Sequence, residues 1–355
     1  MSVFFIAEAG VNHNGDRDIA FRLVDAAAAA GADAVKFQTF SAEALASETA
    51  PKAAYQNETT DAGESQLDML RRLELSHALH VELRDYCATK NIAFMSSPFD
   101  LDSVRFLAED LKLPTLKVPS GEITNGPFLL EVARTGCGII LSTGMSTLDE
   151  VRTALGVLAF AMTDADGAPS LAAFEAAFAS YAGYAALSTR VAVLHCTSAY
   201  PTPPSDANLR AMVTLRDTFG LKTGYSDHTE GTACGLAAAA LGAEIIEKHF
   251  TLDKSLPGPD HKASLDPAEL AAYVAGIRTV EAALGDGIKE PRPSELDTRD
   301  VARKSLVALR PIAAGDTFTA DNLGAKRPGT GVPPMHYWEH LGEPAPRDIE
   351  AEELV

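Results

Sequence analysis

Two lysines stand where lysine is costly. Lys36 lies inside the run AVKFQT and Lys117 inside TLKVPS. Burying an unpaired ammonium in such an apolar run costs several kcal/mol. One reading is a buried stem with its head reaching solvent; the other is a pair of cations holding a phosphate and a carboxylate. Ser97, Ser120, Ser142 and Ser226 end similar runs and would add hydroxyl donors to the same small dianion. Three histidines end runs of the same kind: His195, His228 and His249. One histidine there is a common structural residue, but two on neighbouring strands with carboxylates nearby resemble an open metal site completed by water. Imidazole with oxygen ligands suits Mn2+ or another first-row dication. Asp227 could pair with a lysine, and Glu247 could orient its neighbours.

The same run-ends carry Glu8, Asn12-His13-Asn14, Gln38, Glu122 and Tyr200. They belong to eight β-like segments, at 3–9, 34–39, 92–97, 115–120, 138–143, 191–197, 223–228 and 244–250. Between them run helical patterns at 17–30, 76–90, 101–110, 126–135, 147–160, 207–219, 231–241 and 267–284. Eight strands alternating with eight helices is the count of an α/β (β/α)8 TIM barrel, whose active site is built at the carboxyl ends of the strands. A doubly wound dinucleotide fold would want G-x-G-x-x-G after the first strand, where Gly10-Val11-Asn12-His13-Asn14-Gly15 stands instead.

Two insertions interrupt the alternation. Residues 41–75 follow the second strand, and 161–188 precede the sixth, the latter reading as a Gly/Pro break and then an amphipathic helix. The barrel pattern covers 1–284. Residues 285–300 read as a linker and 301–355 as a small, mostly irregular second domain that leans on another surface. Its KRPGTG turn places Arg327 on an exposed basic loop, either simply solvated or a cap carrying a guanidinium to a barrel mouth.

The chain of 355 residues has 30 Lys and Arg against 49 Asp and Glu, a net charge of −19. That balance disfavours nucleic acid and anionic membrane as partners, so an anionic substrate must be met by a few placed cations. No apolar run approaches the length that spans a bilayer, and no basic segment precedes the first apolar residues, so neither a membrane anchor nor a secretory signal is expected. Cys87, Cys137, Cys196 and Cys234 are dispersed, which suits free thiols in a reducing cytoplasm.

The motifs FIAEAGVNHNGD, DAVKFQTF, SSPFD, KVPSGE, LSTGM, LHCTSAYPTP, GYSDHT and EKHFTLDKSLPGPDH, in this order, resemble the sialic acid synthase family. The tail ARKSLVALRPIAAGD followed by KRPGTG resembles the antifreeze-like (SAF) domain of the same enzymes. The resemblance implies condensation of phosphoenolpyruvate with an N-acylated amino sugar. It places Lys36, Ser97, Lys117, Ser120, Ser142 and Ser226 on phosphoenolpyruvate. It places His228 and His249 on Mn2+, with Mg2+ or Co2+ as substitutes, and drops His195 from the ligand set. Glu8, Gln38, Glu122, Tyr200 and Asp260 would face the acyl-sugar. Arg327 would reach the site of the partner chain in a domain-swapped homodimer.

The implied chemistry is attack of the enol C3 on the open-chain sugar aldehyde, trapping of C2 by water, and loss of phosphate by C–O cleavage. Glu122 is the expected acid/base, with Glu8 in reserve. The expected activity is N-acetylneuraminate synthase, acting on N-acetylmannosamine. The alternative is N,N'-diacetyllegionaminate synthase, acting on a 6-deoxy-2,4-diacetamido hexose. Ser198, where some members carry Asn, and the segment 53–66 leave the acyl-sugar open between the two. A metal-dependent barrel aldolase or hydrolase is a more remote reading and does not explain two strand-buried lysines. A non-catalytic carbohydrate- or ice-binding protein, suggested by the tail alone, leaves the barrel mouth without a purpose.

Overall fold

A computed structural model describes residues 2–61, 63–164 and 167–355. Ala62 in the first insertion, and Ala165 and Asp166 at the expected break in the second, lie outside the described residues. The eight apolar runs form parallel strands β1 (Phe4–Gly10), β2 (Ala34–Thr39), β3 (Ala93–Pro98), β4 (Thr115–Val118), β5 (Gly138–Ser142), β6 (Val191–Cys196), β7 (Lys222–Asp227) and β8 (Ile245–His249). They pair in the order β3-β2-β1-β8-β7-β6-β5-β4. The two end strands, β3 and β4, run side by side, so the sheet is a nearly closed barrel.

Strand pleating sorts the residues. Side chains alternate between the barrel interior and the surrounding helices. Ile6, Ala34, Met95, Ile140, Ala192, Leu194 and Ile245 form an apolar layer inside the barrel. Their neighbours Ala7, Val35, Leu141, Val193 and Ile246 join the larger core under the helices. Two residues beyond the inner layer, on the same face, come Glu8, Lys36, Ser97, Ser142, Cys196 and Glu247. The register sets them level: Glu8 pairs with Lys36 on one side and with His249 on the other. Ser226 pairs with Glu247 in the same way.

Local chemistry sets the ends of the elements. β4 stops at Val118 rather than continuing to 120, because Pro119 has no N–H for the ladder, and Ser120–Glu122 turns as a short 3-10 helix. The helix expected from 207 begins at Arg210, after Asn208 takes a left-handed conformation with φ 41°. β1 ends in an irregularity between Glu8 and Gly10. Gly10 has φ +53°, and a Cβ there would stand 3.2 Å from Glu8 Oε1 and 3.3 Å from the His249 ring. Glycine is the residue that fits.

The first insertion forms helices Ala42–Leu45, Ala54–Thr59 and Gln66–Leu73. Met69 and Leu73 of the last pack with Val11 and Phe40, joining it to the strand-end loops of the barrel. The second insertion holds two helices, Leu171–Ala179 and Tyr181–Arg190, where one was expected. Ser180 divides them: its backbone is extended and its hydroxyl accepts from Gly183 N, capping the second helix. No helix of the described residues is long and apolar enough to cross a membrane.

The chain splits into two compact units, Met1–Gly285 and Asp286–Val355. Part of the segment read as linker is ordered as the helix Leu296–Ala302. The second unit pairs β9 (Ser305–Ala308) with antiparallel β10 (Leu323–Lys326). Leu306, Ile312, Phe318, Leu323 and Ile349 give it a small core of its own.

Candidate active site

A cavity of about 370 Å³ opens at the carboxyl ends of the strands. Lys36 and Lys117 both reach it, and both are almost fully buried. Lys36 Nζ donates to Ser97 Oγ at 3.0 Å and forms an ion pair with Glu8. Glu247 serves both lysines: its Oε1 is 3.3 Å from Lys117 Nζ and its Oε2 3.6 Å from Lys36 Nζ. Ser226 Oγ donates to the same Oε1 at 2.9 Å. Ser120 Oγ accepts from Gly144 N at 3.0 Å, and the Ser142 hydroxyl is buried without a partner among the described residues. Gly144 permits this approach, since a Cβ there would fall 2.8 Å from Ser120 Oγ and closer still to Ser198.

The charges divide unequally. Burial pushes the Glu247 carboxyl up, but Lys117 and Lys36 outweigh it and hold it down at about 2. Burial lifts Glu8 to about 7 against the pull of Lys36, and the charge of Glu247 adds to the rise. Lys36 is held above its ordinary value, because Glu247 and Glu8 overcome its burial. Burial lowers Lys117 from its ordinary value, against the pull of Glu247. The cradle thus sets two buried lysines against two carboxylates of unlike acidity, with the Ser97 and Ser226 hydroxyls among them.

The imidazoles lie beside it. His228 Nδ1 lies 2.8 Å from the Thr197 carbonyl, which fixes its proton there and leaves Nε2 unprotonated, 3.4 Å from Ser226 Oγ. His249 is 5.7 Å away between ring centroids, and its buried Nδ1 has no hydrogen-bond partner among the described residues. Burial lowers His228 to about 4 and, with His228 beside it, holds His249 well below the ordinary imidazole range. Both are therefore neutral, the form that ligates metal. Asp260 Oδ2 is 4.0 Å from His249 Nδ1, and burial raises its carboxyl to about 6. Tyr200 covers the pair, 4.2 Å from the His228 ring. Among the described residues no group of three or more His, Cys, Asp or Glu is arranged to hold a metal. Two imidazoles with water or substrate oxygens is what this donor set offers, and an unpartnered buried ring nitrogen fits it.

The same cavity gathers Gln38, Ser97, Ser120, Tyr200 and Asp260 with the lysines and histidines. It does not include Glu122. That carboxylate accepts from Asn125 Nδ2 at 2.7 Å, one residue beyond the lining Ser120 and Gly121. Arg327 belongs to the second unit, where its Nε donates to Ala302 O at 2.9 Å. His195 points outward and bonds the Ala207 carbonyl at 2.8 Å, a structural role. Asp227 likewise points outward, pairing with Lys248 at 3.2 Å and accepting from Tyr273.

Glu247 is more central than its expected supporting place. The signal for this lay in period two: Glu247 and His249 share a face of β8, as Ser226 and His228 share one of β7, while Asp227 and Lys248 face the helices. The apolar wall from the first insertion follows directly on the segment 53–66 that bears on the acyl-sugar, though none of its apolar residues stands out from sequence. Met69, Leu70 and Leu73 line the cavity beside Leu45 and Phe99.

Comparison with known proteins agrees with this architecture. The NeuB family model matches residues 23–289, and the SAF domain model matches 303–355. The N,N'-diacetyllegionaminic acid synthase of Campylobacter jejuni is 47% identical over 350 residues, covering 99% of this chain and 98% of that protein. The enzyme of the same name from Legionella pneumophila is 43% identical over 351 residues, covering 99% and 92%. The crystal structure of N-acetylneuraminic acid (sialic acid) synthetase from Leptospira borgpetersenii, in complex with citrate, superposes with a TM-score of 0.67 at 32% identity, covering 84% of this chain and 90% of that one. The chain belongs to the NeuB family and is an enzyme of that family, a nonulosonic acid synthase with a carboxyl-terminal SAF domain.

Proposed function

We propose that the cavity condenses phosphoenolpyruvate with a 6-deoxy-2,4-diacetamido hexose, giving N,N'-diacetyllegionaminate and phosphate. The observation that carries the condensation is the meeting of Lys36 and Lys117 in one hydroxyl-lined cavity beside two neutral imidazoles. The likeness to two diacetyllegionaminic acid synthases supports this acceptor. N-acetylmannosamine is the second reading, favoured by the likeness to the Leptospira synthetase.

In this reading Lys36 and Lys117 bind the phosphate and carboxylate of phosphoenolpyruvate, with Ser97, Ser120, Ser142 and Ser226 as hydroxyl donors. His228 and His249 hold a divalent cation, Mn2+ by preference and Mg2+ or Co2+ as substitutes. When bound it supplies Lewis-acid polarisation of the aldehyde oxygen. Gln38, Tyr200 and Asp260 orient the open-chain sugar so that its aldehyde carbon meets C3 of the enol. The new C–C bond leaves positive charge at C2, water adds there, and the C2–O bond to phosphate breaks. Glu8, buried beside Lys36 with its carboxyl lifted to about 7, is placed to take the proton from that water. Glu122, at the rim, is placed for the proton transfers that open the sugar ring. Glu122 thus keeps the ring-opening part of the role expected from sequence, and the water step passes to Glu8, the reserve candidate.

The lid is proposed to come from a second copy. Water must be excluded while a reactive cation forms, and Arg327 in its basic turn suits an anionic or acylamido-lined mouth. Met335 and Trp338 are 81% and 73% exposed on the same unit, an apolar pair that docking would cover. The four free cysteines suit a cytoplasmic setting.

The test is incubation of the protein with Mn2+, phosphoenolpyruvate and each sugar. Phosphate should appear in step with acceptor loss, and label placed in the bridging oxygen of phosphoenolpyruvate should leave with phosphate. Label retained in the sugar acid would reject C–O cleavage.

A further inference from the structure

The helix Gln66–Leu73 reads QLDMLRRL, and its residues at i, i+3, i+4 and i+7 are Gln66, Met69, Leu70 and Leu73. These spacings put four side chains on one helical face. All four line the cavity. Three are apolar, while the half-buried Gln66 amide has no hydrogen-bond partner among the described residues.

The charges of the insertion are engaged elsewhere. Lys52, Arg71 and Arg72 are its only cations. Arg71 pairs with Glu43 at 2.8 Å and Asp68 at 3.1 Å, and Arg72 with Glu64 at 2.6 Å. Lys52 donates to Thr60 Oγ1 at 3.0 Å and lies 3.8 Å from Glu64. A phosphate on the acceptor would find no unpaired cation on this insertion, and an extra hydroxyl against the methyl and thioether groups would lose its water without replacement. A methyl group gains by the same burial. An acylamide, with one donor and one acceptor, matches a primary amide at both.

We propose that this helix face selects the acceptor sugar: Met69, Leu70 and Leu73 take a deoxy, methyl-bearing end, and Gln66 pairs with a second, neutral acylamido group. The assignment rests on the condensation proposed above and goes further by naming the residues that read the sugar. Phosphorylated acceptors are excluded and singly acylated, hydroxylated ones disfavoured.

The experiment compares N-acetylmannosamine, its 6-phosphate and the 6-deoxy-2,4-diacetamido hexose, with wild type, Gln66→Leu and Gln66→Asn. Gln66 is outside the packed cluster that holds the helix, so the leucine variant should fold. In wild type the diacetamido sugar should have the highest kcat/KM and the sugar phosphate the lowest. Gln66→Leu should reduce the ratio of kcat/KM, diacetamido sugar over N-acetylmannosamine, at least tenfold, and Gln66→Asn should restore part of it. An unchanged ratio, or preference for the phosphate ester, would overturn the assignment. Calorimetry with each sugar alone separates the two proposals. A wild type that binds the diacetamido sugar best yet releases no phosphate would support the reading wall and overturn the condensation.

Discussion

Glu247 and Lys117 face each other across the buried cradle, 3.3 Å apart, with the other carboxylate oxygen 3.6 Å from Lys36. Glu247 thus bridges the two buried lysines, while Glu8 pairs with Lys36 from the other side. Glu247→Gln keeps the shape and removes the charge. Breaking a buried pair in this way costs about 3–5 kcal/mol, so the variant should melt well below wild type. Added inorganic phosphate should recover more of that loss than it adds to wild type. Equal melting temperatures would show that Glu8 alone suffices as counter-charge.

Lys36→Met and Lys117→Met should each weaken phosphoenolpyruvate binding at least tenfold, in line with about 1.5–3 kcal/mol for a charged hydrogen bond. The acceptor KM should move less. Initial rates with each substrate varied in turn provide the check, and equal losses for both substrates would make the lysines structural.

His228→Ala and His249→Ala should each abolish Mn2+ binding by calorimetry and turnover with it, while circular dichroism stays native. A strong chelator should silence the wild type. Full activity in its presence would contradict the imidazole pair as a metal site.

His13 is fully buried, accepts from Gly15 N at 2.9 Å, and burial holds its pKa down at about 3. The unfolded chain therefore binds a proton that the folded chain refuses, so stability is full above the ordinary value near 6.5 and falls as pH drops towards 3. At pH 5 the loss from this one group is about 2 kcal/mol. Urea unfolding at pH 7.5 and 5 should show it, and His13→Gln should flatten that part of the slope.

Chains carrying His249→Ala and Arg327→Ala should each be nearly inactive alone. Co-expressed, they should regain activity if Arg327 serves a neighbouring barrel, because one site in each mixed dimer then holds both intact residues. Mixed dimers without activity would place the arginine on its own barrel or outside the site.

The barrel was legible because each of its strands is a short apolar run ending in polar residues, and inward positions such as Lys36, Ser142 and Ser226 could be named from those ends. Glu247 was harder to place. A carboxylate next to a lysine and a histidine has three plausible partners, and only register decides that it faces Lys36 and Lys117 while Lys248 turns away to Asp227. Glu122 shows the opposite case: its motif marks the mouth, but the turn after Pro119 carries its carboxylate to Asn125. The wall of Met69, Leu70 and Leu73 escaped notice because helical spacing names a face without naming what it faces.

The insertion leaves the barrel after Thr39 and is back by the helix that starts at His77. Among the described residues it contributes no strand to the sheet, while Lys36 and Lys117 stay rooted in β2 and β4. On the proposed reading, part of the acceptor wall, Met69, Leu70 and Leu73, therefore sits on a stretch of chain separate from the strands that carry the two lysines. If that reading holds, a lineage could exchange residues 41–75 as a cassette and shift its acceptor while Lys36 and Lys117 stay in place.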